Sequence, residues 1–168
     1  MPGKVIGNNL PIGFAGNPSR MSDCVIAPYL YPATCQGNIR FGEPVAFDKT
    51  TGGVRKVGAS DAAADIIGIA VRRLGQPKSD DENGWYYQPG EVVDVLLRGS
   101  IVVPVLDATS IAARGAVYVC KGSGANRPAG SIVCATANDA LEMANAKFTT
   151  GKIDADQVAE IILTERVF

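Results

Sequence analysis

The chain has 168 residues, a formal charge of −1 from 16 basic and 17 acidic residues, and no histidine. Charges of both signs are interspersed, which argues against the basic patch of a nucleic-acid-binding surface and against a polybasic membrane segment. The missing histidine removes the commonest general base and metal ligand, so Ser-His-Asp and Cys-His machinery is impossible within the chain.

A domain of this size buries roughly 70% of its unfolded surface, so a core without staples is feasible. The N-terminus, MPGKVIGNNLPIGFAG, lacks the continuous apolar core of a signal peptide. No stretch approaches the roughly 20 apolar residues of a membrane helix. Synthesis and retention in a cytosol are therefore expected, unless something larger carries the protein out. Cys24, Cys35, Cys120 and Cys134 form no C-x-x-C pair. They read as small buried hydrophobes of a reducing compartment. A Cys120–Cys134 bridge across a hairpin is the alternative.

Residues 1–38 differ from the rest. Pro2, Pro11, Pro18, Pro28 and Pro32 are half of the 10 prolines, joined by Gly3, Gly7, Gly13, Gly16 and Gly37. That punctuation opposes a regular helix or a central strand. Yet Ile6, Leu10, Ile12, Phe14, Met21, Val25, Ile26, Tyr29, Leu30 and Tyr31 give the segment more apolar surface than a solvated tail carries. An extended arm must bury such anchors, either on its own body or on a neighbouring subunit, and the latter is favoured.

From residue 39 to residue 168 the pattern is one of short strands and turns. Ile39–Phe47 reads as a strand broken near Gly42 and Pro44. Asp48–Gly53 is a turn and Val54–Val57 the return. Ser60 is placed to cap a helical turn over Asp61–Asp65. Ile66–Arg73 reads as a strand. Residues 74–90 form a polar loop with the acidic group Asp80-Asp81-Glu82, read as a solvated tip, and the aromatic triplet Trp85-Tyr86-Tyr87. The triplet is either a binding platform or, preferably, a core or interface anchor.

Pro89–Leu106 is the longest nearly unbroken apolar run. With period two, Val93, Val95, Leu97, Gly99, Ile101, Val103 and Val105 fall on one face. Its β-branched residues and Pro104 oppose a helix, and Gly99 is expected to divide it into two strands. Beyond a turn or short helix at Asp107–Arg114, Gly115–Lys121 and Ser131–Thr136 read as a hairpin. Asn138–Asn145 reads as one or two helical turns, and Ala146–Gly151 and Gln157–Thr164 as closing strands. Gly42–Phe47 and Gly115–Val119 are weakly alike, each followed by a Gly-rich turn, and flank the central run.

The remaining constellations fail as chemistry. Gly122–Pro128 lacks the G-K-[ST] ending of a phosphate loop and leads into a strand. Gly151-Lys152-Ile153-Asp154-Ala155-Asp156 looks like a fragment of the dUTP-hydrolysing barrel motif. Gln157 and Ala159 stand where its tyrosine and glycine should be, so Asp154 and Asp156 read as turn residues. No catalytic, cofactor-binding or metal-ligating residue is assigned, and no enzyme is expected. The fold expected is mainly β: a small β-barrel or β-sandwich-like domain over 39–168, an extended Pro/Gly-rich arm over 1–38, and one or two short helical turns.

Several signatures occur in order: Gly42-Glu43-Pro44-Val45, Ile67-Gly68-Ile69-Ala70, Tyr87-x-Pro89-Gly90-Glu91-x-Val93-Asp94-Val95, Arg98-Gly99-Ser100-Ile101-x-Val103, Gly115-Ala116-Val117-Tyr118-Val119, Ala146-Lys147-Phe148 and Ala159-Glu160-Ile161. This pattern resembles the cement or decoration proteins of tailed-bacteriophage capsids. The resemblance implies a homo-oligomer, dimer or trimer, on the outer surface of the virion. There it would bind the major capsid protein, bridge its subunits and stabilise the head, after synthesis in the host cytoplasm. It implies no direct nucleic acid and no membrane partner. The candidate contact residues are Ile6, Leu10, Ile12, Phe14, Met21, Tyr29 and Tyr31 of the arm and Trp85, Tyr86 and Tyr87 of the loop. A ligand- or glycan-binding β-barrel module of a virion or tail, with the aromatic triplet as platform, is the alternative.

Overall fold

The computed structural model describes residues 12–73, 79–80, 84–106, 110–122, 127–135, 139–154 and 156–165. Among them the strands in chain order are β1 (Pro18–Leu30), β2 (Ile39–Arg40), β3 (Pro44–Asp48), β4 (Gly53–Lys56), β5 (Ile66–Ala70), β6 (Ser79–Asp80), β7 (Gly84–Tyr87), β8 (Val92–Pro104), β9 (Ala116–Cys120), β10 (Ile132–Val133), β11 (Ala140–Phe148) and β12 (Val158–Leu163). The protein is mainly β, and its large antiparallel sheet curls into a half-barrel. The sheet runs β10-β9-β11-β12-β8-β5-β3-β4, with β1 paired to β8. A small second sheet runs β2-β7-β6.

The apolar run becomes β8, and β8 is the axis of the fold. Leu96 lies between Ile26 of β1 and Ile69 of β5, and Ile101 lies between Pro18 of β1 and Ile161 of β12. One edge of β8 therefore carries β1, and the other carries β5 and then β12. The hairpins β3–β4 and β9–β10, the two weakly similar stretches of sequence, end the sheet on opposite sides. A parallel bridge from Val105 to Ile132 brings β10 back to the end of β8. The Leu106 amide donates to the Ile132 carbonyl there at 2.8 Å.

Two cores meet at β8. Leu96, Ile101, Val103 and Val105 pack with Val117, Val119, Ile132, Met143, Phe148 and Ile161 inside the curl. Val93, Val95 and Leu97 pack with Tyr31, Ile39, Phe41, Val45, Val54 and Tyr87 on the other side. The single apolar face expected of the run is thus divided between two cores, and the change falls at Gly99. The run is also one strand, not two. Gly99 has φ +119°, a conformation costly for any residue with a Cβ. It turns the side-chain alternation without breaking the ladder to β12, whose register runs from Gly99 to Pro104 without a shift. Opposite Gly99, β1 carries its irregularity: its register slips between Arg20 and Val25. The slipped backbone lies over the glycine, so that an added Cβ would stand 2.8 Å from Cys24 Sγ and 2.9 Å from Cys24 Cα.

Other expectations fared unevenly. Ile39–Phe47 does break between β2 and β3. The expected helical turn is a 3₁₀ turn, Ala63–Asp65, that starts at Ala62 and not at Ser60. The Asp65 carboxylate accepts from the Ala62 amide at 3.0 Å. The reading of Asn138–Asn145 as helical is corrected: Ala140–Phe148 is β11, held between β9 and β12. Good helix formers in ALEMANAKF yield to burial of Met143, Ala146 and Phe148, a tertiary demand that outweighs local propensity. All four cysteines are free thiols, so no Cys120–Cys134 bridge forms. Buried Asp61 accepts both Arg55 guanidinium nitrogens and, at 2.7 Å, the Gly58 amide, which ties β4 to the turn that follows it.

Gly99→Ala should destabilise the protein by about 2 kcal/mol or more, from positive φ and the collision with β1 together. Gly52→Ala, at φ +71° with nothing within 4 Å of the added carbon, should cost visibly less. Urea unfolding of both variants checks this; equal losses would mean that the crossing at Cys24 is not what requires glycine.

Candidate functional site

The N-terminal segment is extended, as its prolines require, but it is tied to the body along its described length. The Ile12 amide donates to Asp154 Oδ2 at 2.9 Å, across 142 residues of sequence. A tight turn follows, in which the Asn17 amide donates to the Phe14 carbonyl. Gly16 then threads a narrow gap. Its amide donates to the Val102 carbonyl at 2.8 Å, and its carbonyl accepts the Arg72 amide at 2.7 Å. At φ +79°, a Cβ on Gly16 would lie 2.8 Å from Phe41 Cβ and 2.9 Å from the Arg72 nitrogen. Only glycine fits there. Beyond it, Ser19 Oγ donates to Glu160 of β12, and Arg20 Nε stands 3.5 Å from the same carboxylate.

Residues 18–30 are then a strand, β1, where the sequence reading expects little regular structure. Pro18 and Pro28 are tolerated because β1 pairs only with β8 among the described residues, and a missing donor on an edge strand orphans nothing. Its alternation is clear. Ala27 and Tyr29 turn to the core, while Ile26, Pro28 and Leu30 face outward. Val92 lies directly across from Leu30. Among the described residues, the exposed large hydrophobic side chains are Phe14 and Met21, each 69% exposed, Leu30 at 51%, Val92 at 46% and Ile26 at 38%. Four of these five lie within residues 14–30, and the fifth touches that segment. Exposed apolar surface is therefore a property of one segment and not scattered noise.

The candidate contact residues separate accordingly. Phe14 and Met21 are on the surface, and the Arg72 guanidinium lies 4.8 Å over the Phe14 ring. Ile12 is half-buried beside Asp154. Tyr29 is half-buried, edge-on to Phe47 with centroids 6.5 Å apart. Tyr31 is fully buried, and its hydroxyl donates to the Gly37 carbonyl at 2.8 Å; burial, first of its causes, pushes its pKa up to about 12. Tyr87 is a core residue too: its hydroxyl donates to the Val71 carbonyl at 2.7 Å, and its ring meets Phe41 edge-on at 5.2 Å. Desolvation raises its pKa to about 12. Tyr86 is half-buried. Of Trp85 only the backbone, in β7, is described, and Ile6 and Leu10 lie outside the described residues. With Tyr87 turned inward, the triplet does not present three adjacent rings. Ile26 and Leu30 are apolar anchors in the sequence reading but not contact candidates, and Val92 is absent from it. The signal was present in the alternation Ile26-Pro28-Leu30 against Ala27-Tyr29-Tyr31, hidden by the weight given to proline.

A cavity of about 490 Å³ opens beneath the strap, lined by Phe14, Phe41, Glu43, Pro104, Ile132 and Val158 among others. Glu43 is the half-buried acid in it. Burial pushes its pKa above the ordinary 4.5, against the opposing pull of Lys56, whose Nζ is 3.5 Å away, and of the Arg40 amide it accepts at 2.9 Å. Among the described residues, no group of three or more Cys, Asp or Glu side chains is placed to hold a metal ion. No described helix is long and apolar enough to cross a membrane.

The comparisons give the class. The chain matches the phage family described as Structural cement protein (E217 gp24/Pam3 gp6) over residues 1–164, and it belongs to that family. Its role is structural, in the phage capsid, and its place is the virion. Among solved structures, a chain of "The capsid of Myoviridae Phage XM1" is similar with a TM-score of 0.73 and 21% identity, over 96% of both chains. At that identity the likeness is one of fold. No curated protein matches.

Two outcomes follow from the strap. Gly16→Val should free the segment before β1, read as faster protease cleavage ahead of Pro18 with the body intact; cleavage at the parent rate would show that the pin does not hold it. Glu43 has a raised folded-state pKa, so the stability it contributes is complete below the ordinary carboxylate range and is lost as pH rises through the folded value. Glu43→Gln should therefore gain stability relative to the parent as pH rises above the ordinary carboxylate range, measured by denaturant unfolding; a pH-independent difference would contradict the burial argument.

Proposed function

We propose that this protein binds the outer surface of an assembled phage head and bridges neighbouring major capsid subunits, so that the head resists the pressure of packaged DNA. The observation that carries this reading is the concentration of exposed apolar side chains on one N-terminal segment, in a chain whose family is defined by cementing. The β body supplies a rigid platform and, on this reading, self-association into a dimer or trimer. Residues 1–38 supply the contacts. From Ile12 onward the segment is already ordered on the body, so binding does not have to repeat the full entropy cost of ordering it. Repetition over a lattice converts weak contacts into retention.

The test is addition of purified protein to heads that lack it. Saturating protein should raise the temperature at which DNA is released and should be recovered with the heads after sedimentation. Heads of equal heat stability with and without bound protein would refute cementing. Bound protein that cross-links to one capsid subunit and never to two would refute bridging.

A further inference from the structure

We infer that the outward face of β1, extended by Val92, is the surface that meets the capsid shell, and that this contact is apolar and nearly independent of salt. The inference rests on the cementing role proposed above and assigns it a surface. Ile26, Pro28 and Leu30 project from alternate positions of one strand, and Val92 stands beside Leu30.

Two of the charged groups near this face are engaged within the chain, and a third, Asp94, lies half-buried across from Pro28. Asp23 pairs with Arg98 at 3.0 Å, and Arg20 is drawn to buried Glu160. The face thus offers a partner mainly methyl and methylene groups, with the half-buried Asp94 carboxylate among them. Its extent argues against a second copy of the chain as the occupant. Ile26, Leu30 and Val92 are each about half exposed or less, so the face is no larger than the largest patch on an ordinary monomer, roughly 300–600 Å². A stable two-body interface needs roughly 800 Å² on each side. A patch of this size holds only when the contact is repeated, as it is on a shell. Edge-to-edge strand addition is also disfavoured, because two prolines and the register slip interrupt the β1 edge.

The experiment compares the full chain with Leu30→Asp, which places a charge on the face, and with the pair Leu30→Thr and Val92→Thr, which removes apolar surface while leaving β-branched residues suited to strands at both positions. Circular dichroism and thermal unfolding establish that each variant is folded. Binding to heads lacking the protein is then measured at about 50 mM and about 500 mM NaCl, on either side of strong screening. The parent's affinity should change by less than about 3-fold between these salts. Leu30→Asp should weaken binding more than about 10-fold, the loss expected when a buried leucine contact becomes a buried charge, and the threonine pair should weaken it in the same direction. Variants that bind like the parent, or a parent affinity that collapses at high salt, would overturn the inference while leaving cementing intact. A parent that does not bind heads at all would instead remove the reading on which it rests. Variants that alter sedimentation of the free protein would assign the face to contact between copies, and would overturn it as well.

Discussion

Everything in this fold depends on β8 being buried on both faces at once. A strand with one core can be apolar on alternate residues and polar on the rest. Here Val93, Val95 and Leu97 serve one core, and Leu96, Ile101, Val103 and Val105 serve the other. The change of allegiance needs a residue that can reverse the alternation without giving up its hydrogen bonds, and Gly99 at positive φ is that residue. Its missing side chain also admits β1, which crosses at Cys24. One position therefore joins two cores and seats the strand that carries the exposed apolar face.

That dependence explains why the N-terminal segment is both attached and available. Its backbone is committed inward, to Val102, Arg72 and Asp154, and the Ser19 hydroxyl to Glu160. Its large apolar side chains are divided, with Tyr29 and Tyr31 packed and Phe14, Met21, Ile26 and Leu30 outside. A free tail would lose conformational entropy on docking, whereas a segment already ordered presents its contacts at a fixed spacing. Asp23 and Arg20 near it are paired locally, with Arg98 and Glu160.

The sequence was legible where local pattern and burial agree. The break at Gly42–Pro44, the β9–β10 hairpin and the closing strand β12 follow from alternation and turn residues, and the ordered signatures pointed to the family. It was less legible where tertiary demand overrode local preference. ALEMANAKF carries helix formers and is a strand because the curl needs Met143 and Phe148 inside it. Gly99 reads as a break in any one-dimensional pattern, since a change of core is visible only when both cores are present. For the candidate contact surface, the arm's apolar residues could be named, but which of them turn outward could not. Tyr31 and Tyr87 are apolar-looking anchors whose hydroxyls found carbonyl partners inside. Leu30 and Val92 are exposed because they face each other on the outer side of a strand pair that the prolines seemed to forbid.

The strap also sets the order of events in synthesis. Glu160, which holds Ser19, lies 141 residues further along the chain. At ordinary rates of translation that separation takes on the order of ten seconds to cover. Throughout that interval the beginning of the chain has no Glu160 carboxylate to receive Ser19 and Arg20, and β8, the partner of β1, lacks β12 on its other edge. The native clasp of the N-terminal segment therefore waits until β12 has left the ribosome. A subunit with a damaged C-terminal strand would betray itself at its opposite end, by a loose and cleavable N-terminus.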